Sequence, residues 1–258
     1  MYVHLKNIYG SASESEGATG EEYDNVNLIV LGVITWAAVF VFIRRIFSKR
    51  SLGFCTRIVS TIHAISGVIL ASLCVEDWSC PLCPLATTPS PRQAASLGYF
   101  IYDLMISCLF GDGSSFDNIF HQLICIVGIA AGFAELNFEY NCVSVQVAAI
   151  FILESSTPFL HARELLREVG YRDTYLNLAA DMTFALIFSV ARMVAGLYLL
   201  FVILSANNPI LIKAMAVGLQ LVGAFWFYKI VKMVKYKLTK TREKVGLAST
   251  SRRTAKLD

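Results

Sequence analysis

The chain has 258 residues, 56% of them hydrophobic and 16% charged, with a formal net charge of +3. Soluble domains carry about 25% charged residues, and a water-solvated fold of this length cannot be built from so little polar surface. The small net charge also gives no basis for nucleic-acid binding, because the basic residues are unevenly placed along the chain.

Residues 1–26 are polar, with Glu14, Glu16, Glu21, Glu22 and Asp24 among Ser and Gly. Such a composition cannot bury a core and is expected to be a flexible tail. No cleavable signal peptide is visible, so the first apolar segment is expected to act as both signal and anchor. Crossing a bilayer takes about 20 apolar residues, and in lipid each backbone amide must be satisfied within its own segment, which demands helix. The ten-residue alternation of a membrane barrel strand is not seen. Seven spans are expected: Asn27–Phe47, Arg57–Val75, Ala94–Phe110, Phe116–Phe133, Val143–Leu160, Leu176–Leu204 and Ile210–Val231. The third is short and interrupted by Tyr99, Tyr102 and Asp103, whereas the sixth is long enough to tilt or project. Gly111-Asp112-Gly113 forms a turn between spans three and four. Gly128-Ile-Ala-Ala-Gly132 predicts close helix packing, and Pro158 after Ser155-Ser156-Thr157 predicts a kink in span five. The fold class is an all-α polytopic membrane protein.

Orientation follows from the Lys and Arg residues. Eighteen of the 22 fall in the first loop, the fifth loop and the stretch from Lys229 onward; Lys6, Arg92 and Lys213 lie on the opposite side and Arg192 lies within a span. The C-terminus is therefore expected in the cytosol and the N-terminus in the lumen or outside. The basic tail is expected to lie against anionic lipid headgroups. Cys74, Cys80, Cys83 and Cys142 then face the oxidising side, where a disulfide is favoured over half a metal site because no second ligand pair accompanies Cys80-Pro-Leu-Cys83. Cys55, Cys108 and Cys125 are expected as free thiols in packed helices.

Ionisable side chains within a span cost roughly 2.5–3.5 kcal/mol at the helix centre and usually face a cavity or a partner. His63, Asp103, His121, Glu154 and Asp181 each fall within roughly 7–11 Å of the expected cytosolic boundary at 1.5 Å per residue. That shared depth predicts a water-accessible cavity open toward the cytosol. Asp117 and His121 are four apart, so the carboxylate can orient the imidazole; Tyr99 and Asp103 repeat the step. Glu154 and His161 are seven apart on one helical face, and Asp181 and Arg192 are eleven apart, with Arg192 deeper. The competing explanation for each residue singly is interhelical glue, commonly worth under ~1 kcal/mol.

The segments Gly98-Tyr99-Phe100-Ile101-Tyr102-Asp103-Leu104, Asp117-Asn-Ile-Phe-His121 and Leu153-Glu154-Ser155-Ser156-Thr157-Pro158-Phe159 resemble the TLC domain shared by TRAM, the Lag-type ceramide synthases, the CLN-type membrane protein and small TLC-domain proteins. The resemblance runs over residues 57–235, after a first helix and loop at 27–56 and before a basic tail at 236–258. It implies a six-helix barrel around a lipid-accommodating cavity, usually in the endoplasmic reticulum. It further implies that His121 matches the first of two histidines that carry acyl transfer in the ceramide synthases, with Gln122 where the second stands. The function expected is a lipid-homeostasis protein that binds or senses lipids in a cavity lined by His63, Tyr99, Asp103, His121, Gln122, Glu154, Asp181 and Arg192. The alternative is an acyltransferase using His121 and Asp117, with acyl-CoA as co-substrate. A transporter ranks lower, because internal repeats and helices broken near mid-membrane are not found. Otherwise no cofactor or metal is expected, and the partners expected are membrane lipids, with a homo-oligomer also admitted.

Overall fold

The computed structural model describes the backbone of residues 25–74, 90–110, 116–134 and 141–254, and the side chains of 25–73, 93–109, 116–131 and 147–239. The N-terminal tail, the Gly111–Gly113 turn and the side chains of Cys74, Cys80, Cys83 and Cys142 lie outside the described residues. Those described are helical: α1 Asn25–Ile46, α2 Leu52–Cys74, α3 Ser90–Phe110, α4 Phe116–Ala134, α5 Asn141–Glu154, α6 Thr157–Glu168, α7 Tyr175–Phe188, a π-helical segment Ser189–Ala195, α8 Gly196–Ser205 and α9 Ile210–Thr254.

Among the described residues, four segments are long and apolar enough to cross a membrane: Asn25–Ile46, Leu52–Leu73, Tyr175–Ser205 and Ile210–Thr239. Their large apolar side chains are widely exposed, among them Leu31, Ile34, Phe42, Leu186, Val194, Phe201 and Leu221. A water-soluble protein does not present apolar surface on that scale, and hydrocarbon is the medium that suits it. The chain is an integral, polytopic all-α membrane protein. The other expected crossings are shorter or more polar. The apolar part of α4 is Phe116–Ala131, α5 has 14 residues, and α3 turns Gln93, Ser96, Tyr99 and Tyr102 inward.

Span five was expected to be continuous from Val143 to Leu160, but α5 stops at Glu154 and α6 begins at Thr157. The cause is local. Pro158 lacks the N–H that would bond four residues back and clashes with that turn, and it occupies the first turn of α6, where a missing N–H costs little. The Ser155 hydroxyl instead donates to the Ile152 carbonyl at 2.9 Å. Glu154 and His161 therefore do not share one helix face. Beyond Glu168 the chain reverses at Gly170, whose φ of +99° suits only glycine without strain. Thr174 caps α7, its hydroxyl accepting the Asn177 N–H at 3.3 Å. Span six is interrupted by the π segment, a register change that hydrophobicity cannot reveal. Span seven continues as helix to Thr254, well past the expected end at Val231, since Lys, Arg and Glu are good helix formers outside lipid.

Contacts divide the chain into two compact units, residues 1–59 with 69–147 and residues 60–68 with 148–258. In the first, α1 packs on α3 at a glycine crossing. A Cβ on Gly98 would fall 2.8 Å from the Gly32 carbonyl carbon, so only glycine admits this approach. Trp36 locks the register, its indole N–H donating to the Ala95 carbonyl at 3.2 Å and its ring meeting Tyr99 edge-on at 5.4 Å. In the second unit, Phe184 and Phe188 of α7 and Ile230 of α9 form a core cluster, covered by Leu160, Met193 and Trp226 among others.

Candidate functional site

The polar residues singled out in the sequence fall into three groups. In the first unit, α3 carries Tyr99, Tyr102 and Asp103 on adjoining faces, because residues three and four apart are neighbours on a helix. Tyr99 is buried between Trp36, Phe100 and Tyr102, and Tyr102 packs on Phe40 of α1. Asp103 is partly buried and accepts a hydrogen bond from the Gln122 amide of α4. His121, also buried, has its Nε2 3.7 Å from the Cys125 sulfur one turn on. The Tyr102 hydroxyl and the Gln122 carbonyl oxygen are enclosed with no hydrogen-bond partner among the described residues. Buried polar atoms are usually paired, so both retain capacity for a ligand hydrogen bond.

The second group lies at the break between α5 and α6. Glu154 is buried, beside the Thr157 hydroxyl and within Coulombic reach of Arg192. A Cβ added at Gly67 of α2 would meet the Glu154 side chain at 3.8 Å and Ile150 at 3.7 Å. His63 sits one helical turn before Gly67 on that face and is itself buried. Arg192 donates through Nη2 to the Leu153 carbonyl at 2.9 Å, capping the chain where the Ser-Ser-Thr-Pro break disrupts regular helix bonding. Its guanidinium stacks over Phe188 at 5.4 Å and Trp226 at 5.5 Å, a cation–π arrangement that partly replaces lost hydration. Gln220 of α9 donates to the Arg192 carbonyl at 3.3 Å, within the segment where π winding alters the carbonyl pattern. Beside this group is a partly open crevice of about 60 Å³, lined by Leu153, Arg192, Gly196, Ile203, Gln220 and Gly223 with further aliphatic side chains.

The third group surrounds Asp181, which is fully buried. Arg167 Nη2 reaches its Oδ1 at 2.9 Å and Arg163 Nε lies 3.7 Å from the same oxygen. Lys237 of α9 and the Asn177 amide bond to Oδ2. Glu164 holds both arginines in place, at 2.8 Å from Arg163 and 2.9 Å from Arg167, while Arg163 also lies over the Phe184 ring at 4.9 Å. A carboxylate so compensated serves to join α6, α7 and α9.

Asp103 and Gln122 are thus brought together, as are Glu154 and Arg192, with His63 on the α2 face that meets Glu154. Asp181 and Arg192 are anchored separately, one to α6 and α9 and the other to the end of α5. Arg163 follows the Glu154–Pro158 motif that carries the family resemblance, whereas Arg167, Asn177 and Lys237 stand out in the sequence only through the basic content of their segments. Among the described residues Cys55, Cys108 and Cys125 are free thiols as expected, but Cys108 is exposed rather than packed. No cluster of metal-ligating side chains is found among the described residues.

A family model described as the TLC domain matches residues 47–232. The chain is also similar to a TLC domain-containing protein of Acanthamoeba polyphaga mimivirus, 27% identical over 123 residues, which is 46% of this chain and 59% of that relative. The match starts ten residues before the boundary expected at Arg57 and ends close to the expected one, taking in the three polar groups except Lys237. This chain belongs to the TLC-domain family.

Proposed function

We propose that the protein binds or senses membrane lipid through the polar groups of its spans, and so takes part in membrane lipid homeostasis. The observation that carries this is the hydrogen bond from the Gln122 amide to Asp103. A neutral amide neither gives up nor takes up a proton near neutral pH, so beside His121 it suits recognition of a polar headgroup better than acid–base chemistry. The enclosed Tyr102 hydroxyl and Gln122 carbonyl offer a donor and an acceptor to such a group. A membrane of the endoplasmic reticulum with the C-terminus in the cytosol accords with the family and with the distribution of Lys and Arg.

The alternative is acyl transfer from acyl-CoA with His121 as nucleophile or base, assisted by Asp117. A comparative lipidome of cells expressing wild type, His121→Ala or neither separates the two. Lipid binding predicts that both variants shift the lipidome alike at equal protein level. A defined acylated lipid that rises with wild type and not with His121→Ala would instead establish the enzyme.

A further inference from the structure

We propose that the basic rim around Asp181, where α6, the turn after it and α9 meet, binds a phosphate group carried by the headgroup of an anionic phospholipid. The site shares no residue with the groups on α3 and α4 and does not depend on the function proposed for them.

Charge comes first. Residues 163–181 hold four acids and three arginines, and residues 229–237 of α9 add four lysines and no acid. Asp181 is 0% exposed, whereas Arg167 and Lys237 keep 26% and 22% exposure. Glu164 is as exposed as Arg167 and pairs with it and with Arg163, and Arg172 and Asp173 on the turn are both exposed. With seven cations against four acids, a ligand arriving from outside meets a net positive rim. The Nε–H of Arg167 has no acceptor among the described residues, and guanidinium groups match phosphate oxygens in geometry.

Depth identifies the source of the phosphate. Asp181 lies six residues into α7, about 9 Å from its start. Lys237 lies 27 residues into α9, about 40 Å along it, more than the ~30 Å of a hydrocarbon core. Tyr171, Tyr175 and Tyr236 stand at this same end with 49%, 87% and 65% exposure. Exposed tyrosines of this kind collect at the level of lipid headgroups, where the phosphates of the bilayer lie.

The test uses the full-length protein in detergent micelles, with dioleoyl phosphatidic acid, dioleoyl phosphatidylcholine or inorganic phosphate added at matched ionic strength. Retained lipid is read by native mass spectrometry and protection by thermal unfolding. Wild type should retain phosphatidic acid over phosphatidylcholine, and inorganic phosphate should protect little. Arg172→Gln, which leaves the bonds to Asp181 intact, should lower phosphatidic acid retention about fivefold. Arg167→Lys, which keeps the charge, should lower it less. Lys232→Gln, exposed and turned ~140° around α9 from Lys237, should lower it less than Arg172→Gln does. Equal retention by wild type and Arg172→Gln overturns the site. Protection by inorganic phosphate equal to that by phosphatidic acid overturns the headgroup as its source.

Discussion

Asp103 and Asp181 are both carboxylates within helices of a membrane protein, yet their surroundings differ in kind. Asp181 is sealed off and bonded to Arg167, Lys237 and Asn177 with Arg163 close by, so its charge is spent on joining three helices. Asp103 is only partly buried and accepts from a neutral amide, with enclosed hydrogen-bonding atoms of Tyr102 and Gln122 left over on the same two helices. An intramembrane acid is a functional candidate by default, but the partner decides. Cations of opposite sign make a structural joint, whereas a neutral partner beside unsatisfied groups keeps chemistry available for a ligand.

The contrast predicts opposite outcomes for the two acids. Asp181→Ala removes the charged hydrogen bonds that Arg167 and Lys237 make to its carboxylate, each worth about 1.5–3 kcal/mol, and should sharply lower recovery of a monodisperse protein by fluorescence-detected size exclusion. Recovery at the wild-type level would show that the cluster is not a joint. Arg192→Met removes a charged hydrogen bond to the Leu153 carbonyl and leaves it only the long bond from the Thr157 hydroxyl at 3.4 Å, a loss of about 1.5–3 kcal/mol that should appear as a lower Tm in detergent. Gly98→Val places a side chain against the Gly32 backbone, and overpacking of this sort costs about 1–3 kcal/mol. The check is a cysteine cross-link between α1 and α3, which should form in wild type and weaken in the variant. Gln122→Ala is the smallest perturbation of the fold, under ~1 kcal/mol by the usual value of an interhelical bond, and Tm should barely move while lipid binding falls.

Much of this was legible in the sequence, for physical reasons that can be traced to particular residues. Lipid demands long apolar helices, so α1 and the span from Tyr175 to Ser205 were visible from hydrophobicity alone. Pro158 announced a disturbance in span five, but a proline alone does not distinguish a kink from the full break found at Ser155 and Ser156. The partners were not legible. Lys237 and Asp181, Trp36 and Ala95, and Gly32 and Gly98 are each separated by dozens of residues, and no local pattern encodes which helices meet. The π segment that seats Arg192 was equally hidden, because its register change leaves composition untouched. Depth placed Asp103 and Asp181 in one class, and only their partners separate them.

The most direct test of lipid binding at α3 and α4 is photolabelling of the full-length protein in native membranes with a diazirine-bearing bifunctional phospholipid or sphingoid lipid, with labelled peptides mapped by mass spectrometry. Lipid binding predicts label on peptides from α3 and α4 that falls sharply in Asp103→Asn and Gln122→Ala while overall folding is retained. Label that is absent from α3 and α4, or equal in wild type and both variants, would contradict it.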